Sequence, residues 1–173
     1  MRLFIAINFN PDTLSQLLAV RDELCSRSTD GNYTVPNNIH LTLVFLGECN
    51  AEQTADIKAA MDATRFNSFT ICIDSIGRFK RNDGNLWWAG VSKSKPLQKL
   101  QWDLSDRLIA NGFTLEKHKY SPHITLGRKV ITKATPRAVE PFGETVSTIE
   151  LMKSERLGGK LVYTSIHESG ECG

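Results

Sequence analysis

The sequence is poor in the features that mark disulfide-rich or strongly charged proteins. It has four cysteines in 173 residues, at Cys25, Cys49, Cys72 and Cys172, and none belongs to a C-x-x-C pair. Such scattered spacing argues against a disulfide framework and predicts free thiols in a reducing compartment. The formal net charge is only +2, which is too small for charge alone to indicate nucleic-acid binding.

Long hydrophobic runs are also absent from the sequence. No run approaches the roughly 20 apolar residues that cross a membrane as a helix. The first apolar run, Leu3 to Phe9, is too short for the core of a signal peptide, so we expect a cytoplasmic protein that does not contact a membrane. The composition, 40% hydrophobic and 23% charged, is typical of a folded chain with a sizeable core.

One short pattern of polar and apolar residues occurs twice. It reads His40-Leu41-Thr42-Leu43 and returns 83 positions later as His123-Ile124-Thr125-Leu126. Side chains of a strand alternate between its two faces, so each His and Thr would share one face while the apolar residues enter a core. Two such polar pairs suggest one site built from two similar halves.

The offset of 83 extends beyond the two motifs. We therefore predict an internal duplication, roughly residues 2–47 and 85–130, within a single bilobal domain. The expected fold is α+β, with two pseudo-symmetric lobes, antiparallel sheets that face a central cleft, and helices outside. Two unrelated strand-helix-strand units are the alternative. Residues that match at this offset are Leu3 to Ala6 with Leu86 to Ala89, Leu14 with Leu97, and Leu17 with Leu100.

Turn-forming and capping residues divide the rest of the chain. Helices are predicted to begin at Asn10-Pro11, at Asn50 and at Pro96, since Asn caps a helix and Pro suits its first turn. A closing hairpin is expected around Gly158-Gly159. The segments predicted as loops or connections are Asn32 to Asn38, Gly77 to Asn85, and Thr132 to Thr145.

Paired histidines suit acid–base chemistry near neutral pH, because one imidazole can accept a proton while the other donates one. The Thr hydroxyls would bond the oxygens of a phosphodiester or cyclic phosphate. Structural histidines are the first alternative. A zinc site is the second, but no further Cys, His or carboxylate accompanies either motif at ligand spacing. His118 and His167 fall in no matching frame, and we interpret both as surface or structural residues.

The two motifs resemble the paired H-x-T-x motifs of the 2H phosphoesterase superfamily. The segments Arg2 to Ile7, Asn38 to Gly47 and Pro122 to Arg128 are similar to the RNA 2′,3′-cyclic phosphodiesterases, the LigT-like or 2′-5′ RNA ligase family. The resemblance implies hydrolysis of RNA or nucleoside 2′,3′-cyclic phosphates to 2′-phosphates, without metal or cofactor. It also implies weak, reversible joining of RNA ends through a 2′-5′ linkage.

The resemblance further implies a role for each motif residue. His40 would be the proton donor, His123 the proton acceptor, and Thr42 and Thr125 the phosphate-binding residues. The residues alone leave the choice of donor and acceptor open, since the two motifs are alike. A monomer that acts on RNA or nucleotide ends is expected. A phosphodiesterase for a small cyclic-phosphate metabolite and a non-catalytic RNA-end binding module are the alternatives.

Three further residues are predicted to contact substrate. Arg128 follows the second motif, and its counterpart in the first half is Phe45, which would make the cationic part of the site one-sided. Trp88 and its neighbour Trp87 point to opposite faces of a strand, so one is expected in the core and the other beside the cleft. Phe79 lies in a basic loop and would stack on a base, although a solvated loop is an equal alternative.

Overall fold

Three helices and nine strands make up the described parts of the chain. The computed structural model describes residues 1–116 and 119–172, so the predicted surface residue His118 lies outside the described residues. A single 3₁₀ turn, Pro36–Asn38, precedes the first motif. The elements are β1 Arg2–Ile7, α1 Pro11–Ser26, β2 Ser28–Tyr33, β3 Leu41–Glu48, α2 Ala51–Ala63, β4 Phe69–Phe79, β5 Asn85–Val91, α3 Lys95–Ala110, β6 His123–Thr132, β7 Arg137–Val146, β8 Thr148–Leu157 and β9 Lys160–Gly170.

The helices begin where their capping residues predict. The Asn10 side chain accepts a hydrogen bond from the Thr13 amide at the start of α1. Asn50 and Gln53 form a complete capping box on α2, which satisfies amides that would otherwise lack partners. Within the described residues no helix is long and apolar enough to cross a bilayer.

The strands form two antiparallel sheets, which confirms the predicted α+β class. One sheet has the order β3-β1-β8-β9 and the other the order β2-β6-β5-β4-β7. The first motif precedes and enters β3, and the second begins β6. In both sheets the motif strand pairs with the strand that starts its half of the predicted repeat, β1 or β5. The two strand orders are consistent with an internal duplication, which stays a prediction.

A shared core lies beneath both motif strands. Leu41 and Leu43 are buried in the first motif, as are Ile124 and Leu126 in the second. All four belong to one hydrophobic cluster that joins the two sheets and the helices. Burial of the apolar positions leaves each His and Thr on the opposite face, as the alternation predicts.

Three segments predicted as loops are at least partly strands. Asn32 and Tyr33, at the start of the predicted loop Asn32 to Asn38, belong to β2, which pairs with β6 along the sheet edge. Arg137–Val146 forms β7, because its location at the other sheet edge tolerates Pro141, which has no amide hydrogen to donate. Gly77 to Phe79 extend β4, and Asn85 begins β5, so the predicted basic loop shortens to residues 80–84. Pairing with distant strands decides all three cases.

Candidate active site

A cleft of about 1300 Å³ separates the two sheets. The walls bring together both motif pairs, although they lie 83 positions apart in sequence. Strand β3 supplies one wall and β6 the other, and each presents its polar face to the space between them. The motif residues that line the cleft are His40, Thr42, His123 and Thr125.

The His40 ring is held at both nitrogens. Its Nδ1 lies 2.8 Å from the carbonyl oxygen of Asn38, and its Nε2 lies 2.9 Å from the Thr42 hydroxyl. A carbonyl oxygen only accepts, so Nδ1 carries a hydrogen and donates it. In the neutral ring Nε2 then accepts from Thr42. The nitrogen that can exchange a proton therefore faces the cleft.

The His123 ring is anchored in the same way on the opposite wall. Its Nδ1 lies 2.8 Å from the carbonyl oxygen of Ser121, again two residues earlier. The same argument places the hydrogen on Nδ1 and leaves Nε2 as the proton-exchanging atom. Within residues 1–116 and 119–172, Nε2 of His123 has no hydrogen-bond partner, whereas Nε2 of His40 has one in Thr42.

Aromatic rings flank both imidazoles. His40 contacts Phe4, at 4.8 Å between ring centroids, and Tyr163, at 5.3 Å, and these two rings also contact each other at 5.0 Å. His123 lies beside Phe79, at 5.1 Å, and Trp88, at 6.5 Å. These rings restrict the rotation of each histidine and exclude water from one side of it. Each imidazole is thus positioned by packing as well as by its hydrogen bond.

Hydroxyl groups from distant segments brace the two motif strands. The Tyr120 hydroxyl donates to the backbone carbonyl of Thr42 over 2.8 Å, so the loop before β6 is tied to β3. The Thr34 hydroxyl donates to the backbone carbonyl of Thr125 over 3.0 Å. Burial raises the pKa of Tyr120, so the phenol stays protonated and can donate.

Burial and positive charge both act on His40. Burial is the main cause that lowers its pKa below the ordinary value of 6.5, and the hydrogen bond to Asn38 opposes this shift. The positive charges of Arg128 and His123 lower it further. In the free protein the neutral imidazole of His40 is therefore favoured, and an anion in the cleft would favour the charged form.

Arg128 lines the cleft as predicted, but a cation also lies on the other wall. The Arg2 guanidinium lies over the ring of Phe45, 4.9 Å from its centroid. Phe45 is the position that corresponds to Arg128 in the first half, and both Phe45 and Arg2 line the cleft. The expected one-sided cation is therefore wrong: a neighbouring strand supplies a second guanidinium.

The two tryptophans of β5 have different environments. Trp87 is fully buried in the core, and Trp88 is the one that reaches His123. Gly77 makes room for Trp88, since a Cβ at this position would overlap the indole ring. Phe79 ends β4 and packs against both Trp88 and His123, so it lies on a strand rather than in a mobile basic loop.

Two other predictions concern residues away from the motifs. His167 lies 2.8 Å from the Asp62 carboxylate, a contact that ties β9 to α2 and suits a structural residue. No cluster of three or more metal-binding side chains occurs in the described parts of the chain. Of the predicted substrate contacts, Arg128 lines the cleft, whereas Phe79 and Trp88 contact His123 but are not among the residues that line it.

Sequence reasoning missed Arg2, Phe4 and Tyr163 as cleft residues. A signal for the first two was present in β1, where Leu3 and Ile5 enter the main core. Alternation then places Arg2 and Phe4 on the opposite face, the one shared with His40. Tyr163 had no comparable signal, because its location depends on the pairing of β9 with β8.

Comparisons with known proteins agree with this geometry. A model of the 2′-5′ RNA ligase superfamily matches residues 29–157. The RNA 2′,3′-cyclic phosphodiesterase of Thermotoga maritima is 34% identical over 131 residues, covering 74% of this chain and 70% of the relative. That of Aeropyrum pernix is 26% identical over 166 residues, covering 90% and 94%.

Solved structures show the same fold. A crystal structure of Escherichia coli LigT in complex with 3′-AMP superposes with a TM-score of 0.87 at 25% identity. The match covers 99% of this chain and 98% of LigT. The chain therefore belongs to the 2′-5′ RNA ligase superfamily, the LigT-like 2H phosphoesterases that its two H-x-T-x motifs predict.

Proposed function

We propose that this protein hydrolyses the 2′,3′-cyclic phosphate of RNA ends or nucleosides to a 2′-phosphate. The observation that carries the proposal is the matched pair of histidines on opposite walls of one cleft. Each is fixed through Nδ1 to a backbone carbonyl, and each directs Nε2 towards the cleft. This is the arrangement that in-line displacement at phosphorus requires of an acid and a base.

The reaction is a single displacement. His123 Nε2 takes a proton from water as the water oxygen bonds to phosphorus. The bond between phosphorus and the 3′ oxygen breaks, and His40 Nε2 gives that oxygen a proton. Thr42 and Thr125 donate hydrogen bonds to the non-bridging oxygens, where negative charge builds up. Solvent then restores both protonation states, so the two histidines suffice without a metal.

Binding of the substrate would favour the protonated form of His40, with the proton taken from solvent. Burial and Arg128 lower the pKa of His40 in the free protein. A phosphate anion next to the ring opposes both effects and raises this pKa. His40 is thus suited to gain a proton when the cleft fills, and to lose it to the leaving oxygen. Arg128, on the opposite wall of the cleft beside the second motif, would hold the phosphate.

We also propose that the protein acts as a monomer in the cytoplasm. Both walls of the cleft come from one chain, so a second copy is not needed to complete the site. The four cysteines are unpaired, which suits a reducing compartment. Weak 2′-5′ ligation of RNA ends would follow if the 5′-hydroxyl of another RNA took the place of water, bonding to phosphorus and giving up its proton as the 3′ oxygen leaves and is protonated.

Incubation with an RNA that ends in a 2′,3′-cyclic phosphate, in the presence of EDTA, tests the proposal. Mass spectrometry and a phosphomonoesterase assay should identify a 2′-phosphate product. His40→Ala and His123→Ala should each lower kcat by about 10²- to 10⁴-fold, because each removes one proton-transfer group. Circular dichroism should show that both variants remain folded.

His167→Ala provides the matched control, since it removes a histidine that contacts Asp62 outside the cleft. It should keep the activity of the wild-type protein. Full activity in either motif variant would contradict the acid–base roles. Loss of activity with EDTA, restored by added metal, would contradict the metal-independent mechanism.

A further inference from the structure

Arg2 is an uncompensated cation on the cleft wall. Its guanidinium is stacked on the ring of Phe45, a residue that is 54% exposed and therefore contributes little to the core. No carboxylate lies within 4.0 Å of Arg2 in the part of the chain that the structure describes. An exposed ring that holds an unpaired guanidinium at a cleft indicates a site for an anion.

The location of Arg2 differs from that of Arg128. Arg128 lies on β6 and is among the charges that lower the pKa of His40, whereas Arg2 lies on β1 and is among those that lower the pKa of Tyr163. Arg2 also lies two residues along β1 from Phe4, whose ring contacts His40. Two residues of a strand span about 7 Å. Arg2 therefore lies further from the reacting phosphate than Phe4 does, on the wall of the cleft that also carries His40.

Further cations continue this wall away from His40. Arg2 pairs with Ser154 on β8, and Arg156 follows two residues later towards the hairpin, where Lys160 begins β9. All three cations line the cleft. Two carboxylates also line the cleft, and each is offset by a cation: Glu155 lies 3.5 Å from Lys153, and Glu48, the cross-strand partner of Arg2 on β3, lies 3.5 Å from the N-terminal amine. A polyanion could follow this row of cations from the histidines outwards.

We propose that Arg2, held over Phe45, is a second phosphate subsite that binds the internal phosphodiester next to the cyclic end. The preferred substrate class is then an oligoribonucleotide with a cyclic end, rather than a cyclic mononucleotide. This inference rests on the proposed function. It adds a specificity-determining residue, because a mononucleotide has no second phosphate for Arg2 to contact.

The test compares kcat/KM for 2′,3′-cyclic AMP and for a short oligoribonucleotide with the same cyclic terminal nucleotide. The wild-type protein should prefer the oligonucleotide. Arg2→Gln should reduce this preference by roughly tenfold or more, as expected when a charge-assisted hydrogen bond is lost. Arg107→Gln, on the exposed outer side of α3, is the matched control and should keep the preference.

A second measurement distinguishes a phosphate contact from a contact to the base. Binding of an oligonucleotide with a 2′-phosphate end is followed by fluorescence anisotropy from about 50 to 200 mM salt. The slope of log K against log salt should become shallower by about 0.7 in Arg2→Gln, because one phosphate contact is lost. Arg2→Lys keeps the charge and should keep the slope.

The outcomes separate this inference from the function on which it rests. If the wild-type protein hydrolyses neither substrate, the proposed function fails. If it hydrolyses both and Arg2→Gln lowers both kcat/KM values equally, the second subsite is wrong while the function stands. An unchanged salt slope in a folded Arg2→Gln protein would also overturn the subsite.

Discussion

At the scale of single residues, the charge state of His40 depends on its neighbours. Its pKa is lowered mainly by burial and then by the nearby charges of Arg128 and His123. In the proposed mechanism His40 donates a proton, so its neutral free state is not the reactive one. The mechanism requires the substrate to provide the negative charge that stabilises the imidazolium.

This view predicts the same upward shift in two comparisons, followed in an NMR titration of the imidazole Cε1–H groups. In the free protein the midpoint for His40 should lie below 6.5, its ordinary value. Arg128→Gln should raise the His40 midpoint, because it removes a nearby cation that disfavours the charged ring. Saturation with adenosine 2′-monophosphate should raise it in the wild-type protein, since a nearby anion favours the charged ring.

His40→Asn identifies the resonance, and His167 serves as the internal reference because it lies outside the cleft. A His40 midpoint that does not move with the nucleotide would contradict substrate-assisted protonation. A midpoint that does not move in Arg128→Gln would show that Arg128 is not close enough to act on the ring.

At the scale of secondary-structure elements, the second motif depends on strands that carry no motif. Trp88 of β5 lies against His123, and Gly77 of β4 leaves the space for its indole ring. The position of His123 on β6 thus depends on a large residue of the adjacent strand β5 and on a small residue of β4, the next strand beyond it. Sequence alone showed the glycine and the tryptophan but not their contact.

Gly77→Ala should therefore damage both stability and activity. The added methyl group would overlap the Trp88 ring, and overpacking of this kind costs about 1–3 kcal/mol in the free energy of unfolding. Displacement of the indole should also lower kcat through His123. Urea denaturation and the cyclic-phosphate assay measure the two effects.

Gly170→Ala is the control for this substitution. Its Cβ would meet only the Ser147 carbonyl oxygen, at an ordinary contact distance of 3.9 Å. The free energy of unfolding should then change by less than about 0.5 kcal/mol. If both alanine variants are equally stable, the proposed dependence on space beneath Trp88 is wrong.

The loop before β6 offers a second prediction at this scale. Tyr120→Phe removes the hydroxyl that donates to the Thr42 carbonyl and leaves that acceptor without its partner. Unfolding should become easier by about 1–2 kcal/mol, measured by urea denaturation. Tyr163→Phe is the matched control: its hydroxyl makes no hydrogen bond within the described residues, so stability should stay nearly constant.

At the scale of the whole molecule, the two sheets are joined through their helices. Helix α1 follows β1 of the four-stranded sheet but packs against β2 and β7 of the other. Helix α3 follows β5 of the five-stranded sheet yet contacts β3. Strands β8 and β9, from the end of the described chain, complete the sheet that β1 begins. Neither sheet is an independent unit of sequence.

We therefore expect both sheets to unfold in one cooperative transition. The three tryptophans, Trp87, Trp88 and Trp102, all lie on β5 and α3, so their fluorescence reports on the five-stranded sheet and α3. Far-ultraviolet circular dichroism follows both sheets. The two signals should give the same urea midpoint, as in a two-state transition. A separate, earlier or later fluorescence transition would contradict this expectation.

Some features of the fold were predictable because they depend on local chemistry. Asn10 and Asn50 mark helix starts, since their side chains bond amides only three residues away. The strands at residues 28–33 and 137–146 could not be predicted, because they depend on pairing with distant partners. Pro141 indicated a loop, and only its location on an edge strand makes it compatible with a sheet.

The sequence by itself determined the family and the four motif residues. The alternation of His and Thr with buried residues follows from the two-residue period of a strand, and its repetition requires no knowledge of the fold. Only the tertiary structure decided what surrounds those residues. Arg2 reaches Phe45, and Tyr163 reaches His40, through contacts between residues that lie far apart in sequence. Local periodicity says which face a side chain occupies, whereas packing between strands decides which side chains it meets.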